Sequence, residues 1–163
     1  MATGRGRRGF TLAELLVVLA LVAVLASVAA PSLSALIARQ RLRGALNQLT
    51  ADLYYARLLA VENGRRVTLR FEPSRDCTPR RPRNRVVQGY RIVVRGTPER
   101  VARTVSLRWE GRRLCLETNN SDSIAFNSRG LLVPFANRTV WATHGSAADS
   151  LTLSVLGRVY RRF

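Results

Sequence analysis

The feature that most constrains this chain lies near its start. The stretch RRGFTLAELL (7–16) feeds two arginines and a glycine into the apolar run LLVVLALVAVLASVAA (15–30), interrupted only by Ser27. With Phe10 to Leu12 added, it reaches the roughly 20 residues a helix needs to cross a bilayer. Three arrangements would use such a stretch: a secretory signal cut after Val28-Ala29-Ala30, a twin-arginine signal read from Arg7-Arg8 with Phe10 and Leu12, or a plain anchor flanked by Arg5, Arg7 and Arg8. None gives a reason for Glu14. A carboxylate inside a membrane segment costs about 3 kcal/mol on insertion scales, so it normally has a partner or a task. GRGRRG (4–9) has the spelling of a dinucleotide loop, but no strand precedes it and that reading is excluded.

Beyond Pro31 the pattern stays helical, since a proline in a membrane helix commonly only kinks it. Leu42, Leu46, Leu49, Leu53, Ala56 and Ala60 alternate steps of four and three, one apolar face, with Arg39, Arg43, Gln48 and Asp52 placed elsewhere. A helix over 10–63 would be about 80 Å long, and Asn63-Gly64 supplies its stop. The period then becomes two. Val67, Leu69 and Phe71 alternate with Thr68 and Arg70, and further strands are expected at 86–95, 101–109, 113–117, 123–127, 138–143 and 150–162. A mostly β head is expected against the second half of the helix.

Net charge is +17, from 27 arginines and no lysine against 10 acids. Such a surface attracts phosphate polymers or anionic headgroups, and arginine grips phosphate with a planar fork. Cys77 and Cys115 are too far apart for a CxxC motif; an oxidising compartment makes them one disulfide, a reducing one leaves two buried thiols. The single histidine, His144, has no acid and cysteine partners for a zinc site, and nothing marks Ser146, His144 and Asp149 as a triad. No enzyme, metal or cofactor is expected.

The N-terminal residues resemble the class III signal of type IV pilins and pseudopilins: a basic leader ending in Gly9, then Phe10, then Glu14 as the fifth residue after the cut. The resemblance implies cleavage by a prepilin peptidase between Gly9 and Phe10, methylation of Phe10, and an apolar helix retained in the inner membrane and later in a filament core. It also implies that Glu14 neutralises the terminal amine of a neighbouring subunit. Two charges too costly to bury alone become tolerable as a pair. The implied fold is α+β and type IV pilin-like, with a long N-terminal helix packed on a mostly antiparallel β-sheet head. Its parts would be a leader (1–9), a membrane and filament-core helix (10–30), an amphipathic continuation (31–63) and a periplasmic head (64–163). Export favours the Cys77–Cys115 disulfide.

Three later stretches resemble the FimT/GspH-type minor pilins. LTADLYYARLLAVENGRRVTLRF (49–71) holds an Ala-Arg pair (Ala56, Arg57), IAFNSRGLLVP (124–134) a Phe-x-x-x-Gly hairpin, and LTLSVLGRV (151–159) a closing strand with Gly-Arg. One branch of that family builds the type II secretion pseudopilus. Another enters type IV pili, and some relatives there bind DNA through a C-terminal Gly-Arg-x-Arg. The end of this chain, GRVYRRF, keeps Gly157 and Arg158, but Tyr160 stands where the second arginine is expected, and Arg161 and Arg162 follow. If the tail is extended, Arg158 and Arg162 share a face and Arg161 does not. A second cluster, PRRPRNR (79–85), offers Arg80, Arg81, Arg83 and Arg85 beside Cys77, and a disulfide would tether it near Arg112 and Arg113. Removing residues 1–9 leaves 24 arginines against 10 acids, a net +14. These features favour a DNA-binding minor pilin, the alternative being a structural secretion pseudopilin without nucleic acid. Tyr160 is a candidate to stack on a base.

Overall fold

The computed structural model describes residues 11–162 except 76, 80, 110, 111, 120, 145 and 146; at 28–32, 34, 108, 109, 112, 113 and 162 it describes the backbone alone. Gly9, Phe10, Arg80 and Ser146 therefore lie outside the described residues, as do the side chains of Arg112, Arg113 and Arg162.

Helix α1 (Leu12–Glu62) runs through Pro31 for 51 residues. Thr11 caps its start: the Thr11 hydroxyl accepts from the Glu14 amide at 3.3 Å, the side-chain half of a Thr-x-x-Glu capping box. Glu14 thus also has a local role that the sequence reading missed, an acid in the first turn facing the positive end of the helix dipole. The end is at the expected Asn63-Gly64. Gly64 has φ 60°, and the Arg65 amide reaches back to the Ala60 carbonyl at 3.2 Å. A left-handed residue there is cheap only for glycine.

The chain divides into two compact units, Met1–Ile37 and Ala38–Phe163. In the first, every described side chain from Thr11 to Ser27 is exposed. The Ser27 hydroxyl is satisfied by the Val24 carbonyl at 2.7 Å, so it does not interrupt the apolar surface with an unpaired polar group. Among the described residues no helix is long and apolar enough to cross a membrane.

The second unit is a sheet around the later turns of α1. Its strands are β1 (Val67–Pro73), β2 (Arg85–Val94), β3 (Arg100–Ser106), β4 (Arg108–Trp109), β5 (Arg112–Arg113), β6 (Cys115–Thr118), β7 (Ser123–Phe126), β8 (Leu132–Val133), β9 (Arg138–His144), β10 (Ala147–Leu153) and β11 (Val159–Arg162). Eight of them run in the order β11-β10-β9-β6-β2-β1-β7-β8, with β3 also on β2 and β4 with β5 as a separate hairpin. All pairs are antiparallel. Strand β2 is long enough to use its second edge twice, pairing Arg85–Val87 with β6 and Gly89–Val94 with β3.

Three strand expectations need correction. The span 101–109 breaks at Leu107, which turns inward and is buried, so 108–109 leave the sheet for the β4–β5 hairpin. The span 113–117 breaks at Leu114 for the same reason. The span 150–162 is two strands, because Gly157 at φ 76° turns the chain between Ser154 and Arg158. Arg158 is in that turn, so the alternation argued for Arg158 and Arg162 does not extend across it.

All six residues of the α1 stripe are buried, and they pack on Val67, Leu69, Tyr90, Ile92, Leu116, Ile124, Phe126, Leu132, Leu151 and Leu153. Asp52, expected off the stripe, is 1% exposed. It stands three residues after Leu49 and four before Ala56, on their face. The Tyr90 hydroxyl donates to it at 2.6 Å, Gln48 at 3.0 Å, and Arg103 pairs with it at 3.0 Å. Burial, then the hydrogen bond to the Asp52 carboxylate, pushes the Tyr90 hydroxyl well above its ordinary range.

Candidate nucleic-acid interface

The outer face of β9–β11 is built by strand alternation. Val140 and Ala142 of β9 and Leu151 and Leu153 of β10 are buried against α1, so Thr139, Trp141, Ser150 and Thr152 project the other way. Together with Tyr160 and Arg81 they line a depression of about 460 Å³. The Arg81 guanidinium carbon lies 4.9 Å from the Trp141 ring centroid, within cation–π range. Tyr160 is 55% exposed. Thr139 and Thr152 share a hydrogen bond of 3.2 Å across the floor.

The Pro-rich loop comes here because it is pinned at both ends. Cys77 and Cys115 are bonded, with Cα atoms 6.1 Å apart, which anchors the loop to β6. Asn84 donates to Glu117 of the same strand at 3.1 Å. Both anchors face β9, since Cys115 pairs with Thr143 and Glu117 with Trp141. Lying under the loop, Glu117 is 2% exposed. Two basic segments, 79–85 and the C-terminal strand, are therefore joined at one surface by Arg81 and Tyr160.

The other expected contacts are distributed differently. Arg83 is exposed. Arg85 is exposed and paired with Asp122. Arg158 is exposed in the β10–β11 turn, where its amide is held by the Ser154 hydroxyl. Arg161 turns toward α1, donating to the Asn47 side chain at 2.7 Å and to the Arg43 carbonyl at 3.1 Å. Neither Arg158 nor Arg161 lines the depression. Several acids pair with arginines: Glu72 with Arg91 at 3.0 Å, Glu99 with Arg70 at 2.8 Å, and Asp52 of α1 with Arg103 at 3.0 Å. Each pair ties one arginine to an acid and leaves the net surplus unchanged.

Trp141 and Glu117 were not singled out in the sequence. The only signal for Trp141 was its place between two inward residues of one strand. His144 lines a cavity of about 530 Å³ with Gly44, Ala45, Val105, Leu107 and Leu114, and Asp149 accepts from the Ser150 amide at 2.7 Å.

The three stretches quoted for the FimT/GspH resemblance meet at one place. A Cβ on Gly130 would come within 3.0 Å of Arg57 Nε, and one on Gly157 within 3.2 Å of Arg57 Cδ. Both glycines have positive φ, 74° and 76°. The Leu132 amide beside the first turn donates to the Val155 carbonyl of the second at 3.1 Å, so the two ends of the strand path meet over Arg57.

A model of the prokaryotic N-terminal methylation motif matches residues 4–30. The model described as type II transport protein GspH matches residues 45–157, most of the chain. This chain belongs to the GspH family. As a member it is a pilin-like minor pilin or pseudopilin, a class of structural subunits that assemble with other pilins after prepilin-peptidase processing. No protein of curated function matches it. Its fold is similar to that of the type IV minor pilin FimU of Pseudomonas aeruginosa PAO1, in two crystal forms. The P21 form gives TM-score 0.58 at 21% identity over 76% of this chain and 90% of FimU. The P65 form gives 0.51 at 23% over 74% and 92%. Long helix and antiparallel sheet correspond, as the GspH-family assignment requires.

Proposed function

We propose that this subunit is a minor type IV pilin whose head binds DNA without sequence preference. Residues 1–9 act as the leader, and cleavage frees Phe10 for methylation. Residues 10–30 anchor the subunit in the bacterial inner membrane; their 21 residues reach about 30 Å as a helix. Residues 31–63 continue the helix, and the head of 64–163 faces the periplasm until a filament takes it up. Within the filament Glu14 meets the amine of a neighbouring Phe10.

The observation that carries the DNA reading is the meeting of Arg81, Trp141 and Tyr160 in one depression. Flanking Arg83 and Arg158 supply phosphate contacts, as do Arg80 and Arg162 by their positions in sequence, while Arg85 and Arg161 contribute beside their protein partners. Arginine forks hold phosphates and aromatic rings accept bases whatever their sequence. A second reading, a tip subunit of a secretion pseudopilus that touches only other subunits, is favoured by the type II transport description of the matching family.

A mobility shift of the full chain in nonionic detergent separates the two. Affinity is expected to fall steeply with salt, by about 0.9 in log K per log salt for each phosphate contact, and to be similar for unrelated sequences. Arg81→Gln with Arg83→Gln should weaken binding uniformly. No shift at low salt would leave the pseudopilin reading standing alone.

A further inference from the structure

A second basic cleft lies away from the depression. Arg65 and Arg66, just past the end of α1, face Arg95 at the end of β2, and with Gly96 and Thr97 they line a mainly polar cleft of about 560 Å³. The Arg95 amide donates to the Arg66 carbonyl at 2.9 Å, which ties the two segments together. A Cβ on Gly96 would lie 3.4 Å from an Arg65 Nη, so the guanidinium rests over a turn kept low by glycine. Glu99, close in sequence, is occupied by Arg70 at 2.8 Å. The dipole of α1 favours cations at its C-terminus and accounts for Arg65 and Arg66, but not for a third guanidinium brought from another turn. Three like charges around one cleft repel, and an oxyanion relieves that repulsion while accepting forked hydrogen bonds.

We propose that Arg65, Arg66, Arg95 and the Thr97 hydroxyl form a second phosphate-binding site that grips the backbone of the DNA held at the first; this rests on the DNA reading above. The loop of 79–85 runs into the start of β2, and Arg95 follows its end. Nine residue steps along β2, from Arg85 to Val94, span about 30 Å. That length spans about nine base pairs at 3.4 Å each.

The test compares the unaltered full chain in nonionic detergent with R65Q/R66Q/R95Q and R65K/R66K/R95K, on a duplex of about 20 base pairs, long enough to span both sites. The glutamine variant is expected to lose at least tenfold in affinity. Its slope of log K against log salt should shrink by up to about 2.7, three contacts at about 0.9 each. The lysine variant keeps the three charges and should keep the slope. An unaltered chain that binds, with a glutamine variant of equal affinity and slope, overturns the second site alone. Loss of slope in the lysine variant also overturns it, because the loss would not follow charge. An unaltered chain that binds no duplex overturns this site and the DNA reading together.

Discussion

Glu14 and Asp52 sit on the same helix and are treated in opposite ways. Asp52 is almost wholly buried, and Tyr90, Gln48 and Arg103 of its own compact unit meet it. Glu14 is exposed, as is every described side chain from Thr11 to Ser27, and none of the described ion pairs involves it. What differs is cover: the sheet buries the stripe from Leu42 to Ala60, whereas the described side chains around Glu14 are exposed. A contiguous apolar surface of that size marks an interaction or membrane site. Filament subunits need both kinds of helix, one half to hold the head and one to be shared.

The largest expected effect tests that division directly. Leu49→Ala removes a fully buried side chain from the stripe and should lower the stability of the head by about 2–5 kcal/mol. Leu19→Ala, in the exposed stretch, should leave the melting temperature of the head unchanged and show its effect in incorporation into filaments. Thermal melts by circular dichroism read the first; the fraction of subunit recovered in sheared filaments reads the second. Equal melting shifts for both would break the division.

Much of this division could be read in the sequence, for a physical reason. Helical periodicity and the stop at Asn63-Gly64 are local, and so is the alternation of Val67, Leu69 and Phe71; each survives in the fold. Glu14 stands out because an acid among apolar residues is costly, yet an ordinary Thr-x-x-Glu does not advertise that the Glu14 amide donates to the Thr11 hydroxyl. What local patterns could not reveal was pairing across the chain. Asp52 is expected off the apolar stripe, and its burial follows from Tyr90 and Arg103 of β2 and β3. The basic loop and the tail were two unconnected clusters until the disulfide and Asn84 carried Arg81 over Trp141. Arg161 is a candidate DNA contact by its place in the basic tail, and its guanidinium is directed at α1. Gly157 was recognised as part of a Gly-Arg signature, but not as the turn that divides one expected strand into two.

A smaller effect sharpens the account of Asp52. Tyr90→Phe removes one donor and leaves Gln48 and Arg103 on the carboxylate, so the cost should be about 1–2 kcal/mol. Its pH dependence carries more information. The folded Tyr90 stays protonated where an unfolded tyrosine, with its ordinary pKa of about 10, has ionised. The folded state therefore binds more protons at high pH. Its contribution is fully present below about pH 10 and is lost progressively above that value. Denaturant melts between about pH 8 and about pH 11 should show stability falling in the unaltered protein, with the fall reduced in Tyr90→Phe. An identical slope in both would mean that the folded state does not hold the Tyr90 proton any more tightly than the unfolded chain does.

The smallest effect is a coupling, and it concerns how the head closes over the buried half of the helix. Gly157→Ala places a side chain at φ 76°, which costs an L-residue about 1–2 kcal/mol. The new methyl would also stand 3.2 Å from Arg57 Cδ and 3.3 Å from the Gly130 carbonyl oxygen. Arg57 is flexible and can give by a few tenths of an ångström; the carbonyl is backbone and cannot move as cheaply. If contact with Arg57 matters, Gly157→Ala should cost less in an Arg57→Ala background, with a coupling of about 0.5 kcal/mol or more. If the whole cost is conformational, the two substitutions will add. In the first case Arg57 and the two glycines form one packed unit, explaining why Ala-Arg, Phe-x-x-x-Gly and Gly-Arg occur together. In the second, the glycines serve their own turns and Arg57 only lies beside them.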